Sequence, residues 1–332
     1  MDLLHRVIPD VLALPRSARL IAGVFFLSGA LSGCALLLPQ TAQLREAWPA
    51  GLPERVELGD VPFFPQKDYQ CGPAALATTL AYFNVKVTPE DLVEQVYLPA
   101  RQGSLQVEML ATARRHGMVS YQLAPRFEDL LREVAAGNPV IVLQDYGVFR
   151  FTLWHYAVVA GYDYPKGELV LRSGEKRRLI MPFPVLEYTW KPSNYWAMVA
   201  VPPDRIPVTA TESGYLAAVV AMERVANPRA AITAYAAVLR RWPDNLTARI
   251  GLANGHYALG ELKESEAILR QAVDRHPDSV VVLNNLAQIL SDQNRDEEAL
   301  ALVERAVALG GSLADAARDT RELILRRMKV SN

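Results

Sequence analysis

Pro65-Gln66-Lys67-Asp68-Tyr69-Gln70-Cys71-Gly72-Pro73-Ala74-Ala75-Leu76-Ala77-Thr78-Thr79-Leu80 carries one of the two cysteines in a chain of 332 residues. Pro73 suits the first turn of a helix, where its missing N–H would have had no partner, and Ala74 to Tyr82 is a strong helical run. Cys71 therefore lies at or just before a helix N-terminus. The positive end of the helix dipole and the unpaired N–H groups of the first turn favour a thiolate there, which is the nucleophilic form. A buried structural thiol is the commoner fate of a single cysteine. A cysteine that opens a helix after a polar loop, however, is not on an apolar core face.

A thiolate nucleophile needs a base, and the chain has five histidines. His5 belongs to an N-terminal export signal, and His256 and His276 fall in a repetitive C-terminal segment, where structural or surface roles are expected. His116, in Arg114-Arg115-His116-Gly117, ends a helical run and suits a solvated position complementing the dipole. His155, in Trp154-His155-Tyr156-Ala157-Val158-Val159-Ala160-Gly161-Tyr162-Asp163, opens an apolar strand that would hold its ring rigidly. A cysteine and a histidine distant in sequence and adjacent in space is the arrangement expected of a thiol hydrolase.

The surrounding texture is one of short apolar strands and helices. Val140–Leu143, Tyr156–Ala160, Leu169–Leu171 and Ala197–Val201 are rich in β-branched residues and bounded by Gly, Pro or Asp, and read as strands. Glu108–Arg115 and Phe127–Ala136 read as helices ending at Gly117 and Gly137. Helices come mostly first and strands mostly last, which favours an α+β arrangement over a wound α/β sheet.

Gln66 through Cys71-Gly72-Pro73-Ala74-Ala75-Leu76, followed by His155-Tyr156-Ala157-Val158-Val159 and Gly161-Tyr162-Asp163, resembles the peptidase C39 and C39-like cysteine peptidases, papain-like in fold, over roughly residues 59–202. The resemblance implies that Cys71 is the nucleophile and His155 the general base and later acid. It also implies a glutamine shortly before the cysteine that donates its side-chain N–H to the oxyanion. Gln66 fits that role; Gln70 directly precedes the nucleophile and would have to fold back. The best-known members remove double-glycine leader peptides and are fused to ABC transporters, whereas this chain has neither transporter helices nor a phosphate-binding P-loop. The third catalytic group departs from the pattern: where the family carries Asp or Asn on the next strand, this chain reads Leu171-Arg172-Ser173-Gly174. Ser173, a backbone carbonyl, or Asp163 remains to orient His155. Trp190 and Trp196 are expected in the core, with the substrate cleft as the alternative.

After residue 209 a 34-residue period emerges. Pro243 and Pro277 stand one period apart, with Gly311 at the next step. Ala231, Ser265 and Ala299 put small residues at one position, and Tyr235, Leu269 and Val303 put bulky ones at another. Leu239, Val273 and Val307 fill a third, while Leu252-Ala253 and Leu286-Ala287 mark the first helix of a pair. This resembles the tetratricopeptide repeat, with units at 212–243, 246–277 and 280–311 and a capping helix at 313–328. Such an all-α solenoid presents a concave face for peptides or partner proteins.

At the N-terminus, Arg16 and Arg19 precede the apolar run Leu20–Leu27, which is too short for a stable transmembrane helix. It ends in Leu31-Ser32-Gly33-Cys34, which resembles the bacterial lipobox; the resemblance implies lipidation of Cys34 after removal of the preceding residues. Ala35 follows it where lipoproteins retained in the inner membrane of enteric-type bacteria tend to have Asp, so the resemblance implies the outer membrane, with the protein on the periplasmic side. Residues 35–58, with Pro39, Pro49 and Pro53, read as a tether, and 203–211 as a linker.

Composition sets the outer bounds. With 35 Lys+Arg against 36 Asp+Glu, no basic face is expected to bind nucleic acid. Two cysteines make neither a disulfide framework nor a cysteine-rich zinc site; the thiol chemistry read above calls for no metal or cofactor. The chain reads as a membrane-anchored thiol peptidase whose repeats recruit a protein substrate or partner. The alternatives are a degenerate, peptide-binding assembly lipoprotein and a thiol-dependent amide acyl transferase on the same fold.

Overall fold

The computed structural model describes residues 38–66, 70–101, 103–147 and 151–331. The signal sequence and Cys34 lie outside the described residues.

The first unit is built on a seven-stranded antiparallel sheet. In chain order its elements are α1 (Pro39–Glu46), β1 (Arg55–Glu57), α2 (Cys71–Tyr82), α3 (Pro89–Val96), β2 (Tyr97–Leu98), β3 (Gly103–Ser104), α4 (Gln106–Arg115), β4 (Val119–Gln122), α5 (Phe127–Ala135), β5 (Val140–Asp145), β6 (Trp154–Asp163), β7 (Glu168–Ser173), β8 (Lys176–Pro182), α6 (Phe183–Trp190) and β9 (Ala197–Val201). The strand order is β4-β9-β5-β6-β7-β8, with β1 paired to β6 beyond the point where β5 begins; β2 and β3 form a separate hairpin. Period-two alternation divides the sheet between two cores. Val140, Val142, Ala157, Val159, Leu169 and Leu171 face α1, α5 and α6, whereas Ile141, Leu143, Tyr156, Val158 and Ala160 face α2, α3 and α4. A bulge at Val159/Gly161 lets β1 cross closely, because a Cβ at Gly161 would stand 2.5 Å from the Val56 carbonyl oxygen.

The second unit is seven helices: α7 (Glu212–Glu223), α8 (Pro228–Arg241), α9 (Leu246–Ala258), α10 (Leu262–Arg275), α11 (Val280–Asp292), α12 (Asp296–Leu309) and α13 (Ala314–Ser331). The period-34 positions behave as their sizes require. Ala231, Ser265 and Ala299 are buried where helices cross, and Tyr235, Leu269 and Val303 fill the seams between them.

Two stretches read from sequence as connectors are folded structure. Within the expected tether, residues 39–46 form α1 and residues 55–57 form β1. The fully buried Glu187 accepts the Gln40 and Thr41 backbone N–H groups at 3.0 and 2.6 Å, and so caps α1 from 146 residues away. Local composition carries no trace of such a partner, and Pro39, which suggested a tether, is the first residue of a helix. Residues 203–211 are likewise no free linker. Fully buried Glu133 accepts from the Thr209 backbone N–H and hydroxyl at 2.7 and 2.6 Å and from the Asn138 amide at 2.5 Å. Tyr215, Val219, Met222 and Tyr235 then join the core of the sheet's α5/α6 face, so the first helical pair and the sheet share one hydrophobic core.

Candidate active site

Cys71 is the first residue of α2, with Pro73 in the first turn, and Gln70 is its half-buried N-cap. Gly72 is needed here, because a Cβ at that position would collide with the Ser104 hydroxyl. The Cys71 thiol is half-buried and within hydrogen-bonding reach of the Tyr156 backbone N–H, immediately after His155. Burial pushes the thiol up, and contacts with the N–H groups of Tyr156, Gly72 and Cys71 itself offset this only in part.

His155 opens β6 opposite Gln144. Its Nε2 lies 2.8 Å from the Ser173 hydroxyl, and its ring stacks on Tyr146 with centroids 5.0 Å apart and planes at 23°. The Tyr146 hydroxyl, whose ionisation burial disfavours, lies near Ser173 and Gln144, and Gln144 accepts from the Thr189 hydroxyl at 2.9 Å. Burial lowers the imidazole to about 4. Among the described residues, His155 hydrogen-bonds Ser173 and not Cys71.

Of the two side chains weighed for orienting His155, the structure brings Ser173 to it and leaves Asp163 at the other end of β6, paired with Arg55 at 3.3 Å and Lys166 at 3.5 Å. Gln66 lies at the site: its backbone N–H donates to the Gly174 carbonyl at 3.1 Å, and its amide donates to the Tyr156 carbonyl at 3.4 Å. Tyr156 thus touches both Gln66 and Cys71, and its hydroxyl donates to the Ser104 carbonyl at 3.2 Å. Arg172, the neighbour of Ser173, is buried; it donates to the Val61 carbonyl at 3.2 Å and the Leu58 carbonyl at 3.4 Å, pinning the segment that leads to Gln66. Trp190 and Trp196 are in the core. His116 caps α4 and lies 3.4 Å from the Gln95 amide; His256 contacts Glu261 at 2.7 Å.

Tyr146, Gln144 and Thr189 are the members that sequence reading missed. Tyr146 directly follows an apolar strand, but the hairpin register that sets it against His155 is not legible in residue types. Among the described residues, no group of His, Cys, Asp or Glu is arranged to hold a metal ion, and no helix is long and apolar enough to cross a membrane.

Residues 58–173 match the Peptidase_C39 like family, and residues 223–280 and 250–314 match the tetratricopeptide repeat. No curated protein matches the chain. Among solved structures, the chain is similar to a protein from Bacillus anthracis assigned as a C39-like peptidase (18% identity, TM-score 0.39, covering 45% of this chain and 98% of that one). It is similar to a double glycine motif protease from an AMS/PCAT transporter, solved in complex with the leader peptide (18% identity, TM-score 0.34, 44% and 93%). It is also similar to the Yersinia enterocolitica type III secretion chaperone SycD, in complex with a peptide of the translocator YopD (12% identity, TM-score 0.33, 36% and 97%).

Proposed function

We propose that this chain, a C39-like peptidase domain followed by tetratricopeptide repeats, is a lipid-anchored thiol peptidase that cleaves an extended peptide or protein substrate. The observation that carries this reading is the convergence of Cys71, His155, Ser173 and Gln66 on one end of the sheet, through the shared contacts of Tyr156 and the His155–Ser173 hydrogen bond.

In this reading His155 donates its Nε2–H to Ser173, which leaves Nδ1 with a lone pair for the thiol proton. Burial disfavours both charged forms, so the resting site holds a neutral thiol and a neutral imidazole. The proton moves to Nδ1 as sulfur attacks the scissile carbonyl; the imidazolium then protonates the leaving amine, and water hydrolyses the thioester. Gln66 turns its amide from the Tyr156 carbonyl to the oxyanion, a contact worth about 10²–10³ in rate. The repeats recruit the substrate or a partner protein, and acyl chains on Cys34 hold the chain on the periplasmic side of the outer membrane.

The test is digestion of a mixture of unstructured polypeptides by the full-length protein. Fragments formed by the wild type and absent with Cys71→Ala support a peptidase. Polypeptides that bind Cys71→Ala and wild type alike and stay intact would instead identify a peptide-binding protein on a degenerate site.

A further inference from the structure

The described chain starts at the same end of the sheet as the candidate active site. Gln40 exchanges hydrogen bonds with the Phe127 backbone N–H at 2.5 Å and the Pro125 carbonyl at 3.2 Å, and it also meets the Tyr195 hydroxyl. Tyr195 precedes Trp196, whose carbonyl accepts the Leu143 N–H at 3.3 Å, one residue from Gln144, the partner of His155. With Glu187 holding the Gln40 and Thr41 N–H groups, the first turn of α1 is fixed in place. Cys34 is five Cα steps from Pro39, and a fully extended chain of that length reaches about 18 Å. An acylated Cys34 would therefore keep this end of the sheet within about 18 Å of the bilayer.

Four of the large apolar side chains that the domain exposes lie at this same end. Phe151 is 84% exposed, Leu153 60% and Trp154 45%, on the connection entering β6; Tyr188, 70% exposed, lies beside the Thr189 that bonds Gln144. The rim is held in shape. The Asp145 carboxylate accepts the Leu153 and Gly147 N–H groups at 2.7 and 2.8 Å, and the Tyr146 N–H donates to the Leu153 carbonyl at 2.9 Å. Exposed apolar clusters of this kind mark interaction surfaces, and Trp and Tyr favour the headgroup region of a membrane, where an apolar ring meets a polar edge.

We propose that this rim rests on the surface of the bilayer that holds the acyl chains of Cys34, with Phe151, Leu153, Trp154 and Tyr188 as its contact side chains. The inference rests on the lipoprotein reading given above. Its consequence is a peptidase site that works at the membrane surface, on segments lying close to the headgroups.

The test uses full-length protein reconstituted into phosphatidylethanolamine/phosphatidylglycerol vesicles containing brominated phospholipid, with the mass of the Cys34 peptide measured on the same sample. Trp154 is the exposed one among five tryptophans. The expected result is an acylated Cys34 together with bromine quenching of tryptophan fluorescence that is lost in Trp154→Phe and reduced in Phe151→Ser. An unacylated Cys34 overturns the anchor and the docking with it. Acylated protein without Trp154 quenching overturns the docking alone. Two further results overturn it: unchanged quenching with lost peptide turnover in Phe151→Ser, which makes the rim a substrate subsite, or quenching that disappears on dilution of the protein in the membrane as a dimer dissociates, which makes it a contact between copies.

Discussion

Ser173 gives His155 a neutral hydroxyl where a carboxylate would stabilise an imidazolium. With burial holding the imidazole to about 4 and pushing the thiol up, there is no preformed thiolate–imidazolium pair. Alkylation of Cys71 by iodoacetamide is therefore expected to rise continuously between about pH 6 and 9, without the acid-side plateau of an ion pair; a plateau below neutrality would contradict this. Replacing the hydroxyl with a charge, Ser173→Asp, is expected to create that plateau. The same burial links His155 to stability. Its folded-state value lies below the ordinary 6.5, so the unfolded chain takes up the proton first; stability is fully present above about 6.5 and is lost as pH falls toward and through about 4. The contribution is about 3 kcal/mol, read as a fall in urea midpoint between pH 7 and 4 that His155→Gln removes. Cys71, His155 and Gln66 were legible because each stands in a recognisable string. Tyr146 and Gln144 were not, since strand register sets their neighbours.

At the scale of elements, legibility followed whether a pattern repeats. The 34-residue period places a small residue at every helix crossing, and the observed helix pairs fall within the three units read from it. Gly251 extends that logic: a Cβ there would collide with the Tyr235 ring. Gly251→Ala is expected to destabilise the protein by about 1–3 kcal/mol through overpacking, measured as a lower urea midpoint. An unchanged midpoint would mean that the ring has room to move. Edge strands gave weaker signals. In β8, Lys176, Arg177 and Arg178 are exposed, and a charged edge that deters strand pairing looks like a loop when read alone. The long-range cap on α1 by Glu187 was invisible for the same reason.

For the whole molecule, the two kinds of domain were readable from sequence, and the joint between them was not. The shared core of the sheet and the first helical pair fixes that pair relative to the candidate active site, so under the proposed function a substrate recruited by the repeats would meet the site at a set distance. Glu133 is central to that joint. Glu133→Ala strands the Thr209 N–H and the Asn138 amide and is expected to cost about 1–3 kcal/mol. Because the loss falls at the boundary, the repeats should separate from the sheet domain in denaturant, with two transitions by fluorescence and circular dichroism where the wild type has one for the shared core. Wild-type transitions that already separate there would contradict the shared-core account.

The proposed function stands on His155 activating Cys71 for attack on a peptide carbonyl. The most direct measurement is labelling of the full-length protein by a peptidyl acyloxymethyl ketone, with the modified residue located by mass spectrometry. A thioether on Cys71 is expected in the wild type, formed at least about tenfold more slowly in His155→Ala, an order-of-magnitude floor for loss of a general base. Equal labelling rates in the two proteins, or no labelling of a folded wild type, would contradict it.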